Sequence, residues 1–233
     1  MTPTVITFDL DNTLWDVEPA LLRAEAAQRR WLVEHRPGAV DDLNAEQLWD
    51  LKKRLWKANP KLAHDVSAMR RLFLERLQLN AGYDAQAARE GTDAAFDAFL
   101  VERQRVELYP GALEVIVELA ERFCLGALTN GNADIYRTEA GPYFEFAFQA
   151  EQVGASKPAA AMFEAALART GRKAAEVLHV GDSVEHDVLG AQRVGLRTVW
   201  VNAKAEPWSG ATPPDATISR VTELADVLRR LEA

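Results

Sequence analysis

Cysteine is nearly absent: Cys124 is the only one in 233 residues. An intramolecular disulfide is excluded, and so is a metal centre built on thiolates, which fits a reducing compartment. Cys124 lies in the apolar run Phe123–Thr129 and reads as a small core residue. No hydrophobic run approaches the length of a membrane span. No positively charged start followed by an apolar segment precedes the first strand. Positive charge is also short, with 27 Lys and Arg against 35 Asp and Glu and a formal net charge of -8. That balance argues against a general affinity for nucleic acid or acidic membrane, but leaves room for a locally cationic site. The expectation is a cytoplasmic protein, monomer or dimer, that engages neither nucleic acid nor membrane.

What is present is an ordinary globular composition, 48% hydrophobic and 27% charged. The length holds one large α/β domain, or a core with a smaller insertion. Val5–Phe8 is a short β-prone run that meets Asp9-Leu10-Asp11-Asn12-Thr13. A short, mostly apolar strand suits a parallel sheet covered on both faces. Its carboxyl edge, where open α/β sheets place ligands, then carries two acids one residue apart. Alone, the pair is as compatible with an Asx-type turn as with a metal-assisted site.

The next ninety or so residues read as helical: Val17 to about Arg36, Asn44 to Lys57, Asp65 to about Leu79, and Asp84 to about Val106. Pro37-Gly38 and Gly82 are stops, and Asn44 with Gln47 forms a capping-box pattern. Four such helices suit a four-helix bundle. After Tyr109-Pro110-Gly111 strands and helices alternate. Helices are expected at Ala112–Arg122, Asn132–Ala140, Lys157 to about Thr170, Val184–Val194 and Val221–Leu231. Strands are expected at Phe123–Thr129, Phe146–Gln149, Val177–Gly181, Thr198–Val201 and around Ala216–Ile218. The fold class is α/β: a Rossmann-like parallel sheet core with an inserted helical cap. The core is expected at residues 1–15 and 108–233 and the cap at 16–107.

Three later segments add polar groups at the ends of elements: Thr129-Asn130-Gly131, Ser156-Lys157-Pro158, and Gly181-Asp182-Ser183 followed by Asp187. In a parallel sheet these loops share an edge with Asp9 and Asp11. Each has an ordinary reading: a turn cap for Thr129, a solvated surface lysine for Lys157, a helix N-cap for Asp182, a polar helix face for Asp187. Together they match phosphoryl transfer with Mg²⁺, an ion that takes oxygen ligands and lets carboxylates lie close together. Thr129 and the N–H groups around Asn130 and Gly131 suit phosphoryl oxygens, and Lys157 suits a third. A carboxylate can serve as nucleophile and a second acid as proton carrier.

With these pieces the chain resembles the haloacid dehalogenase superfamily, in particular its phosphatases. The resemblance rests on Asp9-x-Asp11-x-Thr13, Thr129, Lys157 and Gly181-Asp182-Ser183 with Asp187, and spans the chain. It implies Asp9 as nucleophile and metal ligand, and Asp11 as general acid/base whose main-chain carbonyl also meets the metal. It implies Asp182 as a further metal ligand, Thr129 and Lys157 holding the phosphoryl group, and Asp187, with Ser183 beside it, as support. Phe8–Leu14, Leu128–Asn132 and Leu178–Asp182 look like bacterial flavin mononucleotide phosphatases and related nucleotidases. Their Asp-Asp-Thr is Asp11-Asn12-Thr13 here, and their acid after Gly-Asp is Ser183.

The function expected is a Mg²⁺-dependent phosphomonoester hydrolase acting on a small phosphorylated metabolite, flavin mononucleotide or another nucleotide among them. Alternatives on the same fold are a phosphosugar phosphatase or mutase, a 2-haloacid dehalogenase, and a catalytically silent binding protein. Asp11 disfavours the dehalogenase, which needs neither a metal nor an acid there. Trp15 and Asp16, directly after the catalytic loop, are the candidate substrate contacts. Trp31, Trp49, Trp56, Phe73, Phe96 and Phe99 read first as bundle core. His64, Asp65 and His186 read as loop, helix-start and solvent-facing residues.

Overall fold

The computed structural model describes residues 3–40 and 43–232. The chain divides into two compact units, Met1–Asp16 with Val106–Ala233, and Val17–Arg105. The second unit contains α1 (Val17–His35), α2 (Ala45–Ala58), α3 (Val66–Asn80) and α4 (Ala85–Arg103). Side chains start three of these helices: Asn44 and Gln47 close a capping box on α2, Asp65 caps α3 and Asp84 caps α4. α1 packs on α4, α4 on α3 and α3 on α2, around Leu32, Phe73, Leu77, Phe96 and Phe99. Arg36 ties this unit together. Its Nε donates to Gln78 Oε1 at 3.0 Å, and its guanidinium lies over the rings of Trp31 and Tyr83. Trp49 and Trp56 differ from the core reading; both stand exposed on α2.

The first unit holds a parallel sheet. Its strands are β1 (Val5–Phe8), β2 (Cys124–Thr129), β3 (Phe146–Gln149), β4 (Val177–Gly181), β5 (Arg197–Val201) and β6 (Ala216–Ile218). They lie in the order β3-β2-β1-β4-β5-β6 with every neighbouring pair parallel. The fold class is thus α/β with a Rossmann-like core. After β3 the chain crosses back to start β4 on the far side of β1, so the strand order reverses at β1. Open α/β sheets bind ligands outside the carboxyl edge at this switch.

Alternation along the strands sends one set of side chains to each face. Ile6, Phe8, Leu178 and Val180 join the cluster formed with α5 (Ala112–Ala120) and α9 (Leu224–Glu232). Val5, Leu128 and Val177 join the opposite cluster, after α6 (Ala150–Val153), with Met162 and Phe163 of α7 (Ala160–Thr170) and Ala191 of α8 (Gly190–Arg193). Both faces are therefore covered, which is why β1 and β4 have no exposed residue.

Several local readings change. The helix expected over Asn132–Ala140 is two 3₁₀ turns, Ile135–Arg137 and Gly141–Tyr143. Asp134 caps the N–H of Tyr136, and the Thr138 hydroxyl donates to Ile135 O at 2.7 Å, so side chains close the first turn after three residues. The helix expected from Lys157 begins only at Ala160, after a turn in which Ala159 N donates to Ser156 O. Val184–Val194 is a π-helical turn, Val184–Leu189, followed by the short α8. A turn of helix, α6, has a capping box from Gln149 and Gln152 that sequence reading passed over.

Gly126 of β2 faces the Phe146 ring of β3, and a Cβ there would lie 2.2 Å from Phe146 Cζ. Gly126→Ala is expected to cost about 1–3 kcal/mol by overpacking. Urea unfolding monitored by circular dichroism measures it; an unchanged midpoint would mean the ring moves aside at no cost.

Candidate active site

Asp9 leaves β1 with its N–H donating to Val180 O of β4 at 2.8 Å, so the sheet holds its backbone one residue beyond the strand. The chain then turns tightly. Asn12 has φ 63, a left-handed conformation that asparagine tolerates better than most residues. The N–H groups of Thr13 and Leu14 both donate to Leu10 O, and the Thr13 hydroxyl points back to Asp9 Oδ2 at 3.4 Å. Past the turn, the Trp15 indole N–H donates to Asp11 Oδ1 at 2.8 Å.

The other loops close on this turn. Gly131 N donates to the Thr129 hydroxyl at 3.0 Å. The Asn130 side chain grips the main chain of Lys157 at both ends: its Oδ1 accepts from Lys157 N at 2.7 Å and its Nδ2 donates to Lys157 O at 2.9 Å. That clasp holds Lys157, whose peptide bond to Pro158 is cis, beside the end of β2. The buried ammonium of Lys157 donates to Asp9 Oδ1 at 2.8 Å and to Asp187 Oδ1 at 2.6 Å.

Asp187 gets there through the π-helical turn. Its N–H and that of Val188 both return to Ser183 O, and Ser183 N donates to Asp187 Oδ2 at 2.9 Å. The carboxylate is laid against the backbone of Gly181, where a Cβ would lie 2.3 Å from Asp187 Cγ. Only glycine fits at that strand end. Asp182 has its carbonyl held by the indole N–H of Trp200 at 2.8 Å.

Asp9, Asp182 and Asp187 offer oxygens within 4.8 Å of one another. The crowding has an electrostatic signature. Burial pushes the Asp9 carboxyl up to about 8, with Asp187 and Asp182 adding to the rise and Lys157 opposing it. Burial raises Asp182 to about 6, helped by Asp187. Burial also works against the charge on Asp187, but Lys157 and His179 outweigh it and hold that carboxyl below the usual carboxylate range. Lys157 stays charged, because its two carboxylate partners outweigh its own burial. Asp187 is thus the settled partner of Lys157, and its oxygens are taken by Lys157, His179 and Ser183 N. Asp9 and Asp182 are left under-compensated. A hard divalent cation with oxygen ligands fits that donor set.

A family model for haloacid dehalogenase-like hydrolases matches residues 3–195. The chain belongs to that family. Among its curated relatives is the 5-amino-6-(5-phospho-D-ribitylamino)uracil phosphatase YigB of Escherichia coli (strain K12), 33% identical over 97% of this chain and 96% of the relative. Another is a glyceraldehyde 3-phosphate phosphatase of Methanopyrus kandleri, 30% identical over 97% of each chain. A solved 2-haloacid dehalogenase from Pseudomonas syringae pv. Tomato DC3000 is 40% identical, with a TM-score of 0.94 over 99% of this chain and 100% of the other. With curated phosphatases matched along nearly its full length, the protein is a haloacid dehalogenase superfamily phosphatase.

Of the residues singled out from sequence, Asp9, Asp11, Thr129, Asn130, Gly131, Lys157, Asp182, Ser183 and Asp187 line one cleft in this hydrolase, together with Asn12 and His186. His186 is solvent-facing as expected, but at the cleft. Trp15 and Asp16 are not in the cleft lining. Trp15 is fully buried with its indole N–H spent on Asp11, so it serves the acid and offers no surface to a substrate. Asp16 is exposed beyond it, near enough to Tyr109 to help raise that phenol. Asp65 is the N-cap of α3, and His64 lies in the turn before it. Sequence reading missed Thr7, His179 and Trp200. The signal for the first two was there: each is a polar residue inside a strand buried on both faces.

Gly181→Ala must push Asp187 off its seat. The variant is expected to lose at least about tenfold in phosphate release and several degrees in melting temperature. Thermal unfolding beside a phosphatase assay checks both, and a wild-type melting temperature with wild-type rate would contradict the packing.

Proposed function

We propose that this phosphatase is a Mg²⁺-dependent phosphomonoester hydrolase that works through an aspartyl-phosphate on Asp9. The observation that carries the reading is the cluster of Asp9, Asp182 and Asp187 around one buried lysine at the switch point of the sheet. The Asp9 carboxylate attacks phosphorus, and the bond to the leaving oxygen breaks. Asp11, steadied by Trp15, gives that oxygen its proton. Asp11 then takes a proton from water as the water attacks the phosphoryl group on Asp9, which releases inorganic phosphate and restores both acids. Thr129 and the N–H groups around Asn130 hold two phosphoryl oxygens and Lys157 pairs with another. The carboxylates of Asp9 and Asp182 and the main-chain carbonyl of Asp11 would hold the ion, which would offset negative charge on carboxylates and phosphoryl oxygens.

The substrate we propose is a small phosphorylated metabolite, with a ribityl phosphate as the first candidate. Two features support it: the motif likeness to flavin mononucleotide phosphatases, and the similarity to a phosphatase of a phospho-ribitylamino-uracil. The similarity to a 2-haloacid dehalogenase favours a second reading, displacement of halide by Asp9. That reaction uses neither an acid at position 11 nor a metal ligand at 182, and both line this cleft.

Phosphate release from p-nitrophenyl phosphate is expected to stop after thorough chelation and return with Mg²⁺; undiminished activity without the ion rules out the metal requirement. Asp9→Asn keeps the shape of the side chain and is expected to lower kcat more than about a thousandfold. Asp11→Ala should cost about a hundredfold on alkyl phosphates and far less on p-nitrophenyl phosphate, whose leaving group needs no proton. An equal loss on both substrates would count against Asp11 as the acid.

A further inference from the structure

β1 and β4 place Thr7 opposite His179 in register, on the face that α7 covers. Both are fully buried, and the Phe163 ring meets the imidazole edge-on at 5.2 Å. A polar pair in a strand core is costly unless every polar atom is used. Here they are used in one chain. The Thr7 hydroxyl lies 2.9 Å from His179 Nδ1, and His179 Nε2 lies 3.2 Å from Asp187 Oδ1, the same oxygen that receives Lys157 Nζ.

The hydrogens follow from chemistry. The Asp187 carboxylate can only accept, so the imidazole proton belongs on Nε2. Nδ1 is then an acceptor, and the Thr7 hydroxyl donates to it rather than to Leu178 O at the longer 3.4 Å. Burial lowers the tendency of His179 to take a second proton, so the ring is neutral. A neutral donor fixes Asp187 without cancelling its charge. A cation in its place would compete with Lys157 for the carboxylate, and an aliphatic side chain would leave Oδ1 to Lys157 alone.

We infer that His179 is a positioning residue for the reaction: its Nε2–H sets the orientation of Asp187, and through Asp187 the point at which Lys157 meets Asp9. The inference rests on the reading of Asp9 as the nucleophile. His179 is not among the cleft-lining residues, and its Nε2 reaches the cleft through Asp187 and from there Lys157.

The test is a set of variants in the full-length protein, with kcat and KM for p-nitrophenyl phosphate, thermal unfolding, and NMR of isotope-labelled histidine. NMR of the wild-type protein should show His179 as the neutral Nε2–H tautomer; a ring protonated on Nδ1 overturns the inference. His179→Leu should lower kcat about 10- to 100-fold, the scale found for outer partners of active-site groups, with KM within about twofold. His179→Gln, whose amide nitrogen can take the place of Nε2–H, should recover most of that rate. Equal kcat losses in the Leu and Gln variants, or a folded Leu variant at wild-type rate, overturn it. Should His179→Leu not fold, Thr7→Val and His179→Gln carry the same test. Thr7→Val removes the donor to Nδ1 and should lower kcat by a smaller factor at unchanged KM, and a wild-type rate there overturns the inference. Turnover that survives Asp9→Asn would instead sink the functional reading beneath it.

Discussion

One buried ammonium shared by two carboxylates governs the core of this phosphatase. Lys157 sits 2.8 Å from Asp9 and 2.6 Å from Asp187, with all three side chains nearly sealed from solvent. Breaking a buried pair by removing one partner typically costs about 3–5 kcal/mol, because the other charge is left stranded. The surrounding structure can be read as the means of holding that arrangement. Asn130 clasps the Lys157 backbone, the missing side chain at Gly181 admits Asp187, the π-helical turn brings it round, and Thr7 with His179 supports it from below.

The arrangement leaves a charge imbalance, and that imbalance points at function. Asp187 saturates its bonds within the protein, whereas Asp9 and Asp182 have carboxyls pushed upward. A cluster built only for stability would gain from fewer acids. Local strain of this kind is what a fold tolerates where chemistry needs it. Parallel strands make it affordable, since both faces of β1 and β4 are packed and the site occupies only their ends.

Much of this was legible in the sequence, for a physical reason. Strands buried on both faces read as unbroken apolar runs, and a polar cluster at the end of such a run has few explanations. Val5–Phe8 before Asp9 and Val177–Gly181 before Asp182 come close to this, each broken by one polar residue, Thr7 and His179. The helical stretch between β1 and β2 was equally plain from its caps. What sequence hid were contacts between elements. Trp15 looked available to substrate because it follows the catalytic loop, yet packing turns its indole inward to Asp11. Trp200 carries no signal of its own within the expected strand Thr198–Val201, and only register with β4 places its N–H at Asp182 O. Asn132–Ala140 has helical composition, but Asp134 and Thr138 close a single turn with their side chains. Thr7 and His179 went unnoticed although each is a polar residue in a buried strand; what they bond to required knowing that β1 and β4 are neighbours.

On the proposed reading, a divalent cation supplies the positive charge that Asp9 and Asp182 lack. Calorimetric titration of Mg²⁺ into the wild-type protein and into Asp182→Asn tests it most directly. Saturable binding to the wild type is expected, weakened at least about tenfold in the variant, with no change in fold. No binding to the wild type, or equal affinity in both, would contradict it.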